Sequence, residues 1–320
     1  MSEHITVLLH EAVEALAIRP DGVYVDGTYG RGGHSRLILS CLNQKGRLIA
    51  LDRDWAAVEA GRQEKLLNAE LAANAPHFYI RHGRFSQMQQ LLCEMDVQKV
   101  DGILLDLGIS SPQLDAERGF SLRADGPLDM RMDITQGQTA AQWIETVSET
   151  ELERVIREYG EERYAGSIAR AIVVARARRP IITTLQLAEI VTAVVRSRER
   201  KREGKQSPAT RTFQAIRIAI NQELEELSLA LHQSVDLLRP GGRLVVISFH
   251  SLEDRMVKRF MRASSQTDHV PRGIPLREAE LRKMSQQQFK VIGRAIRPGQ
   301  TEIAANVRSR SAVMRVAERV

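Results

Sequence analysis

Three glycines that follow a short strand-like run are the residues best suited to hold a cofactor. Val23 to Val25 are β-branched or aromatic, as buried strands favour, and Gly30, Gly32 and Gly33 follow closely. Glycine can adopt positive φ and lets a ligand approach the backbone. The apolar and basic pattern that resumes at Leu37 and Ile38 predicts a helix whose first N–H groups face the loop. We predict that this loop is the nucleotide-cofactor end of a doubly wound parallel sheet.

Two acidic residues end later strand-like runs. The run from Arg47 to Leu51 ends at Asp52, 22 residues beyond Gly30, and an acid about 20 residues beyond such glycines hydrogen-bonds ribose hydroxyls. The run from Gly102 to Leu105 ends at Asp106. Because ligands of such sheets bind at the carboxyl ends of the strands, we expect both acids to lie beside the glycine loop.

Two cofactors are compatible with this loop: a dinucleotide for hydride transfer and S-adenosylmethionine for methyl transfer. A dinucleotide fingerprint needs a third small residue at the helix, and here Ser35 follows the bulky His34. The spacing Asp-x-x-x-Gly-x-Gly-Gly from Asp26 suits a cofactor without a diphosphate. S-adenosylmethionine is such a cofactor, so the spacing favours methyl transfer. A nicotinamide-dependent oxidoreductase and a noncatalytic RNA-binding or ribosome-assembly factor stay open as alternatives.

The residues after Asp106 could orient a substrate beside the methyl group. The stretch from Ser110 to Gln113 carries a Ser111-Pro112 turn, and fixed acceptors there could hold the hydrogens of an amine so that its lone pair faces the methyl carbon. Methylation of a pyrimidine carbon would instead need a cysteine nucleophile. Neither Cys41 nor Cys93 lies in a predicted strand-end loop, so an amine is the favoured acceptor.

Composition is that of an ordinary globular protein with a basic balance. The 320 residues are 43% hydrophobic and 27% charged, and no apolar run approaches the roughly 20 residues that cross a bilayer. The start lacks a secretory signal, and two distant cysteines predict reduced thiols, no metal site and a cytoplasmic protein. A net charge of +6 permits a polyanionic partner. No membrane partner is expected, and a homodimer stays open.

The strand and helix signals alternate up to Asp106, then stop, and resume with the strand 243–249. Between them lie helical patterns, including a capping box at Ser148. The pattern predicts one sheet domain, 1–114 with 211–320, interrupted by a helical insertion, 115–210. One long helix is predicted from Phe213 to Leu231, and a last strand over 312–316.

A basic run joins the predicted insertion to the second part of the sheet domain. A run of this kind is either a solvated linker or a surface that binds phosphates. Its candidate RNA-binding residues are Arg196, Arg198, Arg200, Lys201, Arg202 and Arg211.

Five motifs in order resemble those of the RsmH (MraW) family of bacterial methyltransferases, which act on cytidine N4 in the decoding region of small-subunit rRNA. The motifs begin at Asp26, Asp106, Gly126, Thr210 and Ser248, and they read DGTYGRGGH, DLGISSPQ, GPLDMRMD, TRTFQAIRI and SFHSLED. The resemblance spans essentially the whole chain. It implies an α/β fold, a Rossmann-like class I methyltransferase sheet with an inserted all-helical RNA-recognition domain, and 16S rRNA in the small ribosomal subunit as partner.

The resemblance also implies a site for S-adenosylmethionine. Gly32, Gly33 and His34 would line its methionine end, Asp52 its ribose and Phe85 its adenine. Asp106 and Gln113 would make the remaining cofactor contacts. The group that orients the amine stays open, and the candidate catalytic residues are Asp106, Ser111, Pro112 and His250.

Overall fold

A computed structural model describes residues 5–69, 75–110, 113, 115–122, 124–198, 207–266 and 287–320. The chain folds into two compact units, which we call the sheet unit (Met1–Gly108 with Glu225–Val320) and the helical unit (Ile109–Leu224). The boundaries expected at 114/115 and 210/211 both fall inside the helical unit.

The sheet unit is built on seven strands in the order β3-β2-β1-β4-β5-β7-β6. The strands β1 to β5 run parallel, whereas β7 is antiparallel to both β5 and β6. This order confirms the predicted Rossmann-like α/β class. The strands are β1 Val23–Asp26, β2 Arg47–Asp52, β3 His77–His82, β4 Val100–Asp106, β5 Leu238–Ser248, β6 Phe289–Val291 and β7 Val313–Arg319.

Helices cover both faces of this sheet and build the helical unit. In chain order they are α1 Leu9–Ala15, α2 Gly33–Cys41, α3 Trp55–Ala69, α4 Met88–Cys93, α5 Ala140–Thr146, α6 Glu149–Gly160, α7 Ala165–Arg176, α8 Thr184–Arg198, α9 Thr210–Asn221, α10 Glu223–Leu237, α11 Ser251–Ser264 and α12 Gln300–Ala305. In the described part of the chain, no helix is long and apolar enough to cross a membrane.

The central strands are buried on both faces, which explains their continuous apolar runs. Successive side chains of a strand point to opposite faces. Val25, Ile49 and Ile103 therefore pack in one apolar cluster, whereas Tyr24 and Leu48 pack in another on the opposite face. This packing fixes the register that brings the ends of β1, β2 and β4 to one edge.

The sheet differs from the sequence prediction at its far side. The strand β5 begins at Leu238, five residues before the strand predicted over 243–249, because Leu238 already pairs with Val100 of β4. The short strand β6 was not predicted, and it is held along β7. The final strand extends to Arg319 rather than ending at 316.

The helical unit has its own apolar core. Helix α6 packs against both α7 and α9, and Leu152, Ile168 and Phe213 are among the buried residues. One half of the capping box predicted at Ser148 is confirmed, since the Ser148 side chain accepts a hydrogen bond from the Glu151 N–H at 3.1 Å, whereas the Glu151 carboxylate accepts from Arg154 instead. The packing of α9 on α6 explains why the helical unit extends beyond residue 210.

The long helix predicted from Phe213 to Leu231 is wrong, because the chain breaks at Gln222. Gln222 has φ +53°, in the left-handed region. The preceding Asn221 is buried; its Oδ1 accepts from the Met132 N–H (2.8 Å), and its Nδ2 donates to the Met130 carbonyl (2.7 Å). These contacts hold the distant 130–132 segment at the point where α9 ends.

Replacing Asn221 with alanine is expected to lower the free energy of unfolding by about 3 kcal/mol, because two buried backbone groups would lose their partners. Urea unfolding followed by circular dichroism measures this change. The matched control is Asn43→Ala, since the exposed Asn43 makes a single turn contact to the Lys45 N–H. Equal losses in the two variants would show that Asn221 is not a structural anchor.

Candidate active site

The glycine loop after β1 is tied to the ends of both neighbouring strands. The Gly27 N–H donates to the Leu104 carbonyl of β4, and the Tyr29 N–H donates to the Leu51 carbonyl of β2, each at 2.9 Å. Gly30 and Gly32 have φ values of +55° and +71°. The loop therefore lies across the carboxyl edge of the sheet in a backbone conformation that favours glycine.

Two of the predicted cofactor residues, Gly32 and Gly33, form the start of α2. Gly32 is the N-cap of the helix, and a Cβ on Gly32 would lie 2.6 Å from the Tyr29 hydroxyl oxygen. A Cβ on Gly33 would lie only 1.9 Å from Thr6 Oγ1. These close approaches explain why both positions need glycine. They also show that Thr6, which the sequence analysis did not single out, packs against the start of α2.

Asp52 ends β2 and holds the glycine loop. One carboxylate oxygen accepts from the Gly30 N–H at 2.7 Å, and the other accepts from the Asp54 N–H at 2.8 Å. Burial raises the pKa of Asp52 to about 6, although both hydrogen bonds favour the ionised form. The carboxylate thus lies where the sequence predicted it, at the glycine loop, whereas its contact with a ribose stays a prediction.

Asp26 ends β1, and its side chain holds the glycine loop in place. The sequence analysis included Asp26 in a motif but assigned it no role. Its carboxylate accepts from the Ser35 hydroxyl (2.6 Å) and from the Thr28 N–H (3.1 Å). The Thr28 hydroxyl oxygen in turn accepts from the Asp106 N–H at 2.7 Å. Burial raises the pKa of Asp26. The side chain therefore joins the loop, the start of α2 and the end of β4.

Asp106 ends β4, and its carboxyl lies at the same edge. Its Oδ2 lies 3.7 Å from Nδ1 of the buried His34. Its buried Oδ1 accepts no hydrogen bond from the part of the chain that the structure describes. Burial, followed by the charges of Asp26 and Glu253, raises the pKa of Asp106 well above its usual range. A buried acceptor of this kind is unfavourable unless a ligand completes it.

Three acidic side chains therefore meet at one edge of the sheet. Burial is the largest cause of the raised pKa values of Asp52 and Asp106, and the charge of Asp26 adds to both. Mutual repulsion of this kind is relieved by a cation. The edge is thus electrostatically suited to a positively charged ligand, and its glycine loop leaves space for that ligand to approach the backbone.

Aromatic residues flank the same edge. Phe85 begins a short 3-10 helix after β3, and a Cβ on Gly27 would lie 3.3 Å from the Phe85 Cβ. A stacked pair that sequence reasoning missed, Trp55 and His82, lies at the ends of β2 and β3, with ring centroids 4.1 Å apart. The position of Trp55 three residues after Asp52 was the available signal. The predicted contact of Phe85 with adenine stays a prediction.

His250 caps helix α11. Its Nδ1 accepts from the Glu253 N–H at 3.4 Å, and its Nε2 lies 3.1 Å from Glu253 Oε1. The other carboxylate oxygen, Oε2, accepts from the backbone N–H groups of Phe249 and His250. These contacts give His250 a clear role in starting the helix, whereas its catalytic role stays a prediction.

The amine-orienting turn is only partly described. Ser111 and Pro112 lie outside the described residues. Gln113 is buried, and its Oε1 accepts from the Ser110 N–H at 3.0 Å. Gln113 belongs to the helical unit and Asp106 to the sheet unit, so the joint cofactor contact of these two residues stays a prediction.

The predicted RNA-binding residues are also partly described. Arg196 and Arg198 are exposed in the last turn of α8, and Arg198 donates to the Ser167 hydroxyl at 3.3 Å. Arg211 is exposed near the start of α9 and donates to the Glu161 carbonyl. Arg200, Lys201 and Arg202 lie outside the described residues. The exposed guanidinium groups are compatible with phosphate binding.

Comparisons with known proteins give one consistent result. A relative from Nitrosomonas europaea is 61% identical over 318 residues, covering 99% of this chain and 97% of the relative. A relative from Nitrosospira multiformis is 59% identical over 319 residues, covering 99% and 98%. Both bear the name ribosomal RNA small subunit methyltransferase H. The model of the MraW methylase family matches residues 1–320. Because the family model matches the chain from end to end and both relatives are about 60% identical over nearly its whole length, the chain belongs to the MraW methylase family.

Proposed function

We propose that this methylase transfers a methyl group from S-adenosylmethionine to the exocyclic N4 amine of a cytidine in 16S rRNA of the small ribosomal subunit, in the cytoplasm. The observation that carries the proposal is Asp106 Oδ1, a buried carboxylate oxygen without a described hydrogen-bond partner at the end of β4. Family membership and the names of the relatives support the reaction class and the kind of RNA.

The residues at the edge of the sheet fit S-adenosylmethionine. When bound, this cofactor supplies an electrophilic methyl group on a positively charged sulfur. The acidic edge suits that charge, and Gly30, where an added Cβ would meet only the Thr28 carbonyl at 3.9 Å, leaves the backbone of the loop open to close approach. Asp52 would accept hydrogen bonds from the ribose hydroxyls, and Phe85 would contact the adenine.

Asp106 is proposed to act on the substrate amine. The amine nitrogen would form its new bond to the methyl carbon as the bond from that carbon to sulfur breaks, with neutral S-adenosylhomocysteine as the leaving group, and positive charge would develop on the nitrogen. An ionised Asp106 would accept a hydrogen bond from the amine, stabilise this charge and then receive the surplus proton. His34, whose Nδ1 lies 3.7 Å from Asp106 Oδ2, would hold the carboxylate in place.

The positions of the cysteines argue against methylation of a ring carbon. Cys41 and Cys93, the two cysteines of the sequence, are the last residues of α2 and α4. Helix α2 begins at the glycine loop, and its nine residues carry Cys41 about 12 Å along the axis from Gly33. A cysteine nucleophile would have to contact the pyrimidine at the site itself, so an amine is the acceptor that these residues can serve.

The helical unit is proposed to recognise the RNA. Arg196, Arg198 and Arg211 are exposed on it and are suited to phosphate oxygens.

Transfer of labelled methyl groups to small ribosomal subunits that lack the modification tests the proposal. Nuclease digestion and mass spectrometry then locate the label. We expect N4-methylcytidine at a single site. Label on a uridine or on a ring carbon would contradict the amine assignment, and tight binding of a dinucleotide in place of S-adenosylmethionine would contradict the reaction class.

S-adenosylmethionine binding is expected to tighten about tenfold from pH 5 to pH 7. The pKa of Asp52 is raised to about 6, so the proportion of ionised carboxylate increases through this interval, and only the ionised form fully favours the cationic ligand. Calorimetry across the pH range measures the effect. Asp52→Asn should bind more weakly at pH 7 with a flatter profile, whereas an unchanged profile in this variant would assign the dependence to another group.

A further inference from the structure

Three exposed arginines lie beyond the last parallel strand, at the same edge of the sheet as the candidate active site. Arg294 and Arg297 belong to the segment after β6, and Arg310 lies in a 3-10 helix just before β7. We call these three residues the arginine edge. None of the three makes a side-chain hydrogen bond or ion pair with another residue in the described ranges.

The segment that carries Arg294 bulges out of the sheet. The Ile292 N–H donates to the Val316 carbonyl, and the Ile296 N–H donates to the Met314 carbonyl, each at 2.9 Å. The chain thus advances four positions, from Ile292 to Ile296, while β7 advances only two, from Met314 to Val316. Residues 293–295 absorb the difference, with Gly293 at φ +65°. The bulge displays Arg294 to solvent instead of pairing it along the sheet.

The register of the strands places the arginine edge close to Asp106. Asp106 ends β4; Ser248 ends the neighbouring β5 and pairs with Val313, the first residue of β7. Ile296 then bridges to Met314. Asp106 and Ile296 are therefore separated by three strand spacings, a distance of about 15 Å across the sheet. A single strand of nucleic acid with its target base at Asp106 would therefore reach Arg297 within a few nucleotides.

A second set of contacts links the same region to the glycine loop. Asn306 Nδ2 donates to the Ile5 carbonyl at 3.0 Å, and Glu302 accepts from the Leu8 N–H at 2.9 Å. Thr6, between these two positions, is the residue that approaches Gly33. The segment that precedes Arg310 is therefore fixed relative to the cofactor loop.

The local charge is strongly positive. Residues 292–311 contain four arginines and a single acid, Glu302. By contrast, Arg315 in the middle of β7 makes a two-fold contact with Asp254, at 2.7 and 3.0 Å. An arginine with a structural role in this part of the fold is thus paired, whereas the three exposed arginines have guanidinium donors available to an external anion.

We infer that the arginine edge binds the phosphate backbone of the RNA strand that carries the target base. This inference rests on the proposed function. It adds to the helical unit a phosphate-binding surface on the sheet unit itself. Contacts of this kind fix the register of the strand without reading its sequence. The arginine edge would therefore position the target nucleotide for Asp106.

The test removes the three charges together. The variant is R294Q/R297Q/R310Q in the full chain, and the probe is unmodified small-subunit rRNA, with binding measured over a range of salt concentrations. Three phosphate contacts to a single strand contribute about 2 to the slope of log affinity against log salt concentration. At this slope, the three contacts strengthen RNA binding about 50-fold more at 0.15 M salt than at 1 M salt. We expect the variant to lose that slope and that affinity, and to raise KM for RNA with little change in kcat.

The matched control removes the same charge from the opposite edge of the sheet. Lys45, Arg47 and Lys290 are exposed and lie at the amino ends of the parallel strands. The variant K45Q/R47Q/K290Q should keep the wild-type slope. Both variants should bind S-adenosylmethionine as the wild type does, which shows that the site is intact.

The outcomes separate this inference from the proposed function. If the wild type methylates small-subunit RNA and the arginine-edge variant keeps its salt slope, the inference alone is overturned. Equal losses in both triple variants would also overturn it, since the effect would then be one of net charge. If only binding to assembled subunits weakens, the partner is a ribosomal protein and the RNA assignment is wrong. If the wild type transfers no methyl group to RNA, the proposed function fails first.

Discussion

Replacing Asp106 with asparagine is expected to lower kcat for methyl transfer by about 100-fold or more, the range typical of a lost acid–base group. The amide keeps the shape of the side chain, but it cannot accept the proton that the amine must lose. It also removes the negative charge that would stabilise the developing ammonium. Single-turnover methylation of small-subunit RNA at saturating S-adenosylmethionine measures the rate.

The pH profile distinguishes a catalytic role from a structural one. Burial and neighbouring charges raise the pKa of Asp106 in the free protein, so ionisation is incomplete at low pH and the wild-type rate should rise as the pH increases. Asp106→Asn should lose this rising limb. A low rate with an unchanged limb would mean that another group exchanges the proton.

Asp101 provides a matched control at the other end of β4. Its buried carboxylate accepts from the Val23 N–H at 2.8 Å and pairs with Arg239 at 3.2 Å. Asp101→Asn should lower the free energy of unfolding by about 2 kcal/mol, because a buried charge network is broken, yet leave kcat near the wild-type value below the unfolding temperature. A loss of kcat in both variants would point to general damage to β4.

The sheet was predictable because its central strands are apolar on both faces and end in recognisable glycine or acidic residues. Val23 to Asp26 and Gly102 to Asp106 carry that signal within a few residues. The strand β6 does not, since Lys290 and Val291 are exposed and only the pairing with β7 makes the segment a strand. Short edge strands of this kind depend on a partner distant in sequence.

The break at Gln222 shows a second limit. The apolar helical period continues from Ile216 to Leu227, so local spacing predicts an uninterrupted helix. What ends α9 is the contact of Asn221 with residues 130–132, about 90 positions earlier. A tertiary contact thus overrides a local pattern.

At the site, residue types were predictable and their contacts were not. The spacing from Gly30 to Asp52 correctly placed a carboxylate at the loop, where it accepts the Gly30 N–H. Nothing local in the sequence indicates that Thr6 packs against Gly33, because the two residues come from different segments. Tyr29 and Gly32 lie in one loop, but only the turn in which the Gly32 N–H donates to the Tyr29 carbonyl at 2.7 Å brings the ring against the glycine.

Replacing Gly32 with alanine is expected to weaken S-adenosylmethionine binding by about 100-fold. The positive φ of +71° costs about 1 kcal/mol for a residue with a Cβ. The new Cβ would also lie 2.6 Å from the hydroxyl oxygen of the buried Tyr29, whose hydroxyl donates to Glu64 at 2.9 Å. Displacing that ring adds about 2 kcal/mol, and 1.4 kcal/mol corresponds to tenfold in affinity.

The loss should appear in binding because the free loop can relax away from the conformation that the ligand needs. Calorimetry with S-adenosylmethionine measures it, and two variants separate its causes. Gly241 has φ +82° with nothing within 4 Å of an added Cβ, and it lies at the edge of the sheet opposite the glycine loop. Gly241→Ala therefore adds the same backbone strain away from the site and should leave the affinity for S-adenosylmethionine unchanged. Gly30→Ala adds the strain within the loop, with only the Thr28 carbonyl at 3.9 Å, and should cost about fivefold. If Gly32→Ala binds S-adenosylmethionine as tightly as Gly241→Ala does, the close approach of Tyr29 does not shape the cofactor site, and the glycine loop does not bind the cofactor.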